Sequence, residues 1–133
     1  MDLLSGFQEK KFLRNKQSIA YHENPRTFFE VTFHSSIIQP ETEIAYLSWI
    51  EGKGSGIRLL GYLLKKLNRR SINNNRTIKL FIEPTTQSGS DFIEKLRGLG
   101  FVITAEDSEI NWGCRGYSIE VNQEALNVLA CEA

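Results

Sequence analysis

The sequence predicts a mixed α/β fold built on a single sheet, and two observations carry this prediction. First, three extended segments rich in aromatic and β-branched residues follow one another with short connections between residues 12 and 50, which predicts an antiparallel meander. Second, a helical pattern separates the third segment from a fourth, which predicts a parallel β-α-β crossover. A length of 133 residues fits one domain.

The three strands of the meander are expected at residues 12–22, 26–38 and 43–50, and residues 1–10 are expected to form a leader or a frayed turn. Turn-forming residues at 23–25 and 39–41 separate these strands. In the second strand, alternation predicts one face made of Phe29, Val31 and Phe33. The opposite face then holds Phe28, Glu30, Thr32 and His34.

Two main helices and three further strands follow. A helix is predicted at residues 55–70, where leucines and Ile57 recur every three or four positions. Residues 77–82 form the next strand. A second helix is expected at 90–96, capped by Ser88 or Ser90 and stopped at Gly100. Strands at 101–104 and 116–121 close the sheet, with an acidic loop at 106–109 between them, and residues 123–130 predict a short last helix.

Composition excludes several classes of function. The formal net charge is zero, so no extended basic surface that would bind the phosphate backbone of a nucleic acid is expected. No apolar run reaches the roughly 20 residues that span a membrane. The N-terminal sequence lacks the pattern of a signal peptide. Cys114 and Cys131 are far apart in the sequence, which indicates reduced thiols in a cytoplasmic protein. His22 and His34 lack the spacing of metal ligands, so no metal site is expected.

Gly52, Gly54 and Gly56 lie between the third strand and the first long helix. Glycine allows close backbone approach, and free amides at a helix start attract anions, so this turn is a candidate phosphate site. A tight connection that binds nothing explains the same residues equally well. The spacing fits neither a Walker loop nor a G-x-G-x-x-G dinucleotide loop. Lys53 favours a phosphate here, whereas Glu51 opposes it.

This order of elements resembles the GNAT acyltransferases, which use acetyl-coenzyme A. The family motif [Arg/Gln]-x-x-Gly-x-[Gly/Ala] corresponds to residues 51–56, which read Glu-Gly-Lys-Gly-Ser-Gly. The later Leu99-Gly100-Phe101 is similar to the end of the family's next helix. The resemblance covers roughly residues 26–121 and implies a GNAT-like mixed sheet.

The resemblance implies that acetyl-coenzyme A binds beside the glycine turn as co-substrate. Backbone groups of Leu47, Ser48 and Trp49 would pair with its pantetheine arm like an added strand. The following strand would splay away to open the cleft. The pyrophosphate would be held by the amides of Gly52, Lys53, Gly54, Ser55, Gly56 and Ile57.

The chain departs from the family pattern in three places. Glu51 stands where the family has Arg or Gln. The tyrosine that protonates the leaving thiolate is replaced by Ile93, or by Leu96 in a second alignment. Tyr117 is the only nearby substitute acid, although its position in the sequence favours a strand tyrosine half in the core. Most of the N-terminal helical region of the family, which helps to form the acceptor site, is also expected to be absent. Other loops or a second subunit would then have to bind the acceptor, which favours a homodimer.

Three residues are candidates for the general base that takes a proton from the acceptor amine. Glu43 stands at the head of the third strand, where some family members place a catalytic glutamate, and its alternative role is a solvent-facing carboxylate. Glu83 stands at the end of the splayed strand. His34 is the third candidate, since histidine titrates close to neutrality.

The sequence therefore predicts an N-acyltransferase that transfers an acetyl group from acetyl-coenzyme A directly to an amine, either a small molecule or a protein. Two alternatives stay open. One is a GNAT-like binding or regulatory module without catalysis. The other is an unrelated α/β interaction domain, whose partner surface would include aromatic residues of 28–33, Trp49 and Trp112.

Overall fold

A computed structural model describes residues 7–11, 17–51 and 56–130 of the chain. The strands are β1 (Phe7–Lys11), β2 (Gln17–Asn24), β3 (Thr27–Ser35), β4 (Thr42–Glu51), β5 (Thr77–Ile82), β6 (Thr104–Asp107) and β7 (Arg115–Glu120). The helices are α1 (Gly56–Asn74), α2 (Gln87–Leu99) and α3 (Gln123–Ala130). Within the described ranges, no helix is long and apolar enough to cross a bilayer.

All seven strands form one mixed sheet in the order β1-β2-β3-β4-β5-β7-β6. β1 to β4 pair antiparallel in sequence order, which confirms the predicted meander. β4 and β5 pair parallel, with α1 as the crossover between them. The mixed α/β class and the β-α-β unit are therefore as the sequence predicts.

The two ends of the sheet differ from the prediction. Residues 7–10, expected in a leader or turn, form β1 together with Lys11, and β1 pairs with β2, whose described part begins at Gln17. β6 begins only at Thr104, because Phe101 turns inward after α2 and is 6% exposed. Glu106 and Asp107 consequently lie in a strand and not in the acidic loop that we expected.

The helices begin and end close to the predicted places, with one error of capping. α1 continues to Asn74, four residues past the prediction. Thr86 caps α2, since its hydroxyl accepts a hydrogen bond from the Gly89 amide at 3.1 Å, so the expected caps Ser88 and Ser90 are wrong. Gly100 ends α2 in the left-handed conformation, as predicted.

One apolar core lies between the sheet and the three helices. It contains alternate residues of β2, β3, β4, β5 and β7, together with five leucines of α1 that are completely buried. Phe29, Val31 and Phe33 belong to this core, which confirms the predicted alternation of β3. We call the other side of the sheet, which carries Phe28, Glu30, Thr32 and His34, the open face.

Candidate functional site

A cleft opens where β4 and β5 stop pairing. The two strands are in register only from Thr42–Thr77 to Tyr46–Phe81. β4 then continues to Glu51, whereas β5 ends at Ile82 and the chain turns away toward α2. The resulting cleft has a volume of about 590 Å³ and is lined by Leu47, Ser48, Trp49, Ile50, Glu51, Gly56, Ile82, Glu83, Pro84, Thr85, Thr86, Ser88, Gly89 and Phe92. This volume lies within the range of small-molecule sites.

A β-bulge shapes the β4 side of the cleft. Glu30 is opposite Trp49 and Val31 is opposite Leu47, so Ser48 is an extra residue in β4. Such a bulge bends a strand and interrupts its ladder. On the cleft side, the backbone of β4 beyond Tyr46 has no partner strand within the described residues. Leu47, Ser48 and Trp49, which the sequence assigns to the cofactor, therefore line the cleft beside unpaired strand backbone.

The structure describes only the last glycine of the predicted glycine turn, Gly56. Gly52, Lys53, Gly54 and Ser55 lie outside the described residues. Gly56 is the first residue of α1 and lines the cleft, so the start of α1 faces it. A Cβ at Gly56 would lie 3.2 Å from the ring of Phe92, which leaves little room for a side chain. Ile57 packs against the core instead of lining the cleft.

Glu83 is the one predicted catalytic residue that lines the cleft. Its carboxylate Oε2 accepts hydrogen bonds from the Tyr46 hydroxyl at 2.8 Å and from the Asn111 amide at 2.7 Å. The same amide lies 2.9 Å from the Tyr46 oxygen, which closes a three-membered network. The loop that follows β6 supplies Asn111 and brings Ser108 close to the same carboxylate. We call Tyr46, Glu83, Ser108 and Asn111 the Glu83 cluster.

The surroundings of the Glu83 cluster shift two pKa values. Burial raises the pKa of Glu83, but the neighbouring Ser108, Asn111 and Tyr46 groups lower it by more, so Glu83 titrates below an ordinary glutamate. Burial and the hydrogen bond to Glu83 raise the pKa of Tyr46 to about 12. At neutral pH the carboxylate is therefore charged and the phenol is protonated.

One oxygen of Glu83 is left for a ligand. Oε1 is buried and has no hydrogen-bond partner of good geometry within the described part of the chain. The Ser108 side chain, whose hydrogen bonding lowers the pKa of Glu83, is the candidate donor to this carboxylate from the protein itself. A buried acceptor without a donor costs about 1–3 kcal/mol, which a bound N–H or O–H group would offset. Glu83 lines the cleft, so an N–H or O–H group that reached Oε1 from there would satisfy this oxygen.

Glu43 lies in a different environment. Its carboxylate accepts two hydrogen bonds from the Arg70 guanidinium, at 2.7 and 3.1 Å, and lies 3.8 Å from Arg76. Glu43 is 7% exposed and faces the helices at the far end of β4 from the cleft. This geometry makes it a structural link between β4 and α1, and it is neither a solvent-facing carboxylate nor a residue of the cleft.

The other predicted acids and bases also lie outside the cleft. Tyr117 lies on the helix side of β7, half-buried against the core, with the Arg97 guanidinium 5.2 Å from its ring centre. His34 is on the open face, where its Nε2 lies 3.1 Å from the Thr32 hydroxyl. Ile93 and Leu96 are buried in the core, so α2 presents Phe92 to the cleft and no acid at either position.

A second, larger cavity of about 710 Å³ lies at the opposite end of β4 and β5, between the start of these strands and α3. Its charged side chains include Lys79, which is already paired with Glu106 at 2.6 Å. None of the residues that the sequence assigns to the site lines this cavity. We therefore place the candidate site at the smaller cleft, where the unsatisfied carboxylate oxygen lies.

Sequence reasoning missed Tyr46, Ser108 and Asn111. Tyr46 carried a weak signal, because strand alternation places it beside Glu83 once β4 and β5 are paired in parallel. Asn111 carried none, since it reaches Tyr46 across 65 residues of sequence from an irregular loop.

Comparison of the chain with models of protein families, with curated proteins and with solved structures gives no match. The site is therefore interpreted from its geometry.

Proposed function

We propose that this protein is an acyl-coenzyme A-dependent N-acyltransferase with a GNAT-like fold, acting in the cytoplasm on an amine acceptor. The observation that carries the proposal is the cleft between β4 and β5, where unpaired strand backbone, the start of α1 and a buried carboxylate converge. These three features would suit, in turn, an extended arm that contains amides, a phosphate group and an acceptor amine.

The described residues fit an acyl-coenzyme A co-substrate in two respects. The backbone from Leu47 to Trp49 offers strand-type hydrogen bonds to an extended pantetheine arm. The first turn of α1 carries no acidic residue, so its amides remain favourable for a phosphate. Glu51 lines the same cleft and opposes an anion, but its carboxylate accepts a hydrogen bond from the Trp49 indole at 3.1 Å. The bound co-substrate would supply an acyl group activated as a thioester.

Glu83 would act on the acceptor amine. Its free Oε1 can hold an N–H of the amine, and the charged carboxylate attracts the ammonium form. A carboxylate with a lowered pKa is a weak base, so Glu83 orients the amine more effectively than it removes the proton. Tyr46 and Asn111 would keep Oε2 engaged and direct Oε1 toward the acceptor.

Blocking the cleft tests co-substrate binding. Calorimetric titration of the protein with acetyl-coenzyme A is expected to show saturable binding. Ser88→Trp, which puts a large ring into the cleft, should weaken that binding by at least about tenfold, or about 1.4 kcal/mol. Ser90→Trp is the matched control, because Ser90 is exposed on the same helix and does not line the cleft. Absence of binding at millimolar acetyl-coenzyme A would overturn the proposal.

Glu83→Gln tests the catalytic role separately. With a panel of amine acceptors, this variant should lower turnover by roughly 10²-fold, because the charge that attracts and orients the amine is lost, while acetyl-coenzyme A still binds. Full turnover in the variant would remove Glu83 from the mechanism. Binding without turnover for any acceptor in the unaltered protein would favour the alternative of a GNAT-like module that binds coenzyme A without catalysis.

A further inference from the structure

A row of aromatic and acidic side chains lies on the open face, beside the cleft. The rings of His22 and Phe28 stack with their centres 4.9 Å apart, and Phe28 stacks on Trp49 at 6.3 Å. Glu30 lies 3.6 Å from His22 and is opposite Trp49 across the β3–β4 pair. Glu51 accepts the Trp49 indole hydrogen bond and is opposite Phe28. We call these five residues the aromatic–acidic patch.

The patch is accessible. Trp49 is 57% exposed, and the side chains of His22 and Glu30 are 45% and 48% exposed. Large aromatic rings left open on a sheet face are typical of interaction sites, because their burial by a partner removes apolar surface from water. Here the rings come from three adjacent strands, so they form one continuous surface.

The charge of the patch is negative although the chain as a whole is neutral. Glu30 and Glu51 contribute two carboxylates, and histidine is formally uncharged at pH 7. The described part of the open face also carries Lys79, but that ammonium is held by Glu106 at 2.6 Å and lies near Glu109 at 3.8 Å. Among the side chains that the structure describes, the patch therefore brings two carboxylates next to π surfaces, with His22 3.6 Å from one of them.

We propose that the aromatic–acidic patch docks an extended basic segment of another protein, with arginine or lysine side chains contacting the aromatic row and pairing with Glu30 and Glu51. Guanidinium and ammonium groups bind both aromatic faces and carboxylates, so one cationic side chain can use both parts of the patch. In an extended peptide, alternate side chains point the same way and can meet neighbouring strands of a sheet face.

Charge decides between a basic peptide and a nucleic acid. Aromatic rows on an open sheet also stack bases of single-stranded RNA, but those surfaces carry basic residues for the phosphates. Carboxylates at the positions of Glu30 and Glu51 would repel a phosphate backbone and attract a cation. The proposal concerns binding alone and holds whether or not the cleft carries out acyl transfer.

Tryptophan fluorescence provides the test. The chain has two tryptophans, so Trp112→Phe leaves Trp49 as the single reporter within the patch. An eight-residue peptide that alternates arginine with valine should change this fluorescence saturably, with a Kd on the order of 100 μM at low salt. The same peptide with citrulline for arginine should bind at least about tenfold more weakly, and added salt should weaken the arginine peptide.

Variants place the binding site. Glu30→Gln and Glu51→Gln should each weaken peptide binding by about three- to fivefold, because each removes one exposed ion pair. Glu94→Gln is the matched control, since Glu94 is an exposed carboxylate on α2 that pairs with Arg97. All peptide titrations are made without coenzyme A. A failure of the peptide to bind would therefore count against the docking proposal and not against the acyltransferase proposal.

Four results would overturn the proposal, and the first three concern the peptide, the control variant and RNA. They are the absence of a saturable change with the arginine peptide, equal loss of affinity in Glu94→Gln, and tighter binding of a single-stranded RNA oligonucleotide than of the peptide. Spermidine provides a further comparison. If it binds the patch as tightly as the peptide does, the ligand is a small polycation and the protein-docking proposal is wrong.

Discussion

Gly116 is the residue at which the sheet leaves no room for a side chain. A Cβ at this position of β7 would lie 2.5 Å from the backbone oxygen of Ile82 and 2.8 Å from the ring of Phe81. The oxygen belongs to the paired strand β5 and cannot move without disturbing the ladder. Only glycine fits at position 116, because the backbone of β5 and the Phe81 ring come so close to it. The Phe81 ring also stacks on Tyr46 of the Glu83 cluster.

Gly116→Ala should therefore lower the free energy of unfolding by about 1–3 kcal/mol, the usual effect of overpacking. Gly98→Ala is the control of opposite sign. Its Cβ would meet nothing within 4 Å, and alanine in a helix should add about 0.5–1 kcal/mol. Urea unfolding followed by circular dichroism measures both. Equal stability of the two variants would contradict the packing at Gly116.

At the scale of elements, Glu109 holds two loops together. Its carboxylate accepts hydrogen bonds from the amides of Ile37 and Ile38 at 2.7 and 3.3 Å and from the Ser36 hydroxyl at 2.8 Å. The connection between β3 and β4 is thereby fixed to the loop between β6 and β7. That loop also carries Ser108 and Asn111, so Glu109 positions the donors that surround Glu83.

The pKa of Glu109 predicts how this link depends on pH. Burial raises the pKa of Glu109, but the Ser36 hydroxyl, the two amides and the nearby Lys79 lower it by more. A carboxyl with a lowered folded pKa stabilises the protein above its unfolded pKa of about 4.3, and the contribution is lost as pH falls through the folded pKa.

Glu109→Gln should accordingly cost about 1–3 kcal/mol of unfolding free energy at pH 7, and the difference from the unaltered protein should shrink toward pH 3. Denaturant unfolding across this pH range is the measurement. Glu94→Gln, which removes an exposed carboxylate paired with Arg97, should be nearly neutral throughout. A difference at pH 7 that persists unchanged at pH 3 would show that the carboxylate charge is not responsible.

At the scale of the whole molecule, Glu43 and Arg70 join the sheet to its long helix. The side chains of Glu43 and Arg70 are 10% and 17% exposed. The Arg70 guanidinium also lies 3.9 Å from the centre of the Phe33 ring, so it contacts β3 as well as β4. The pair thus fixes α1 over the middle of the sheet, and α1 begins at the cleft.

Glu43→Gln should destabilise the protein by about 1–4 kcal/mol, because it leaves a largely buried guanidinium without its carboxylate. Affinity for acetyl-coenzyme A, and turnover by the folded fraction, should stay within about twofold of the unaltered protein. Thermal unfolding and calorimetric titration separate the two effects. A large loss of turnover at unchanged stability would instead return Glu43 to the mechanism as the general base.

The sequence by itself determined most of the elements, because their signals are local. Leucines at helical spacing predict α1, and alternation in β3 predicts which side chains enter the core. Gly100 marks the end of α2 for the same reason, since a left-handed residue after a helix favours glycine. The parallel pairing of β4 and β5 followed from the order of elements and the rules of crossover connections.

Only the tertiary structure decided which polar residues meet. Glu43 and Glu83 look alike in the sequence, yet one pairs with Arg70 from 27 residues away and the other with Tyr46 and Asn111. Ser88 and Ser90 were the caps expected from the sequence, yet the structure has Thr86 as the cap. Such contacts join positions far apart in the chain or select among similar neighbours, and periodicity carries information about neither. The site therefore had to be identified from the packed structure.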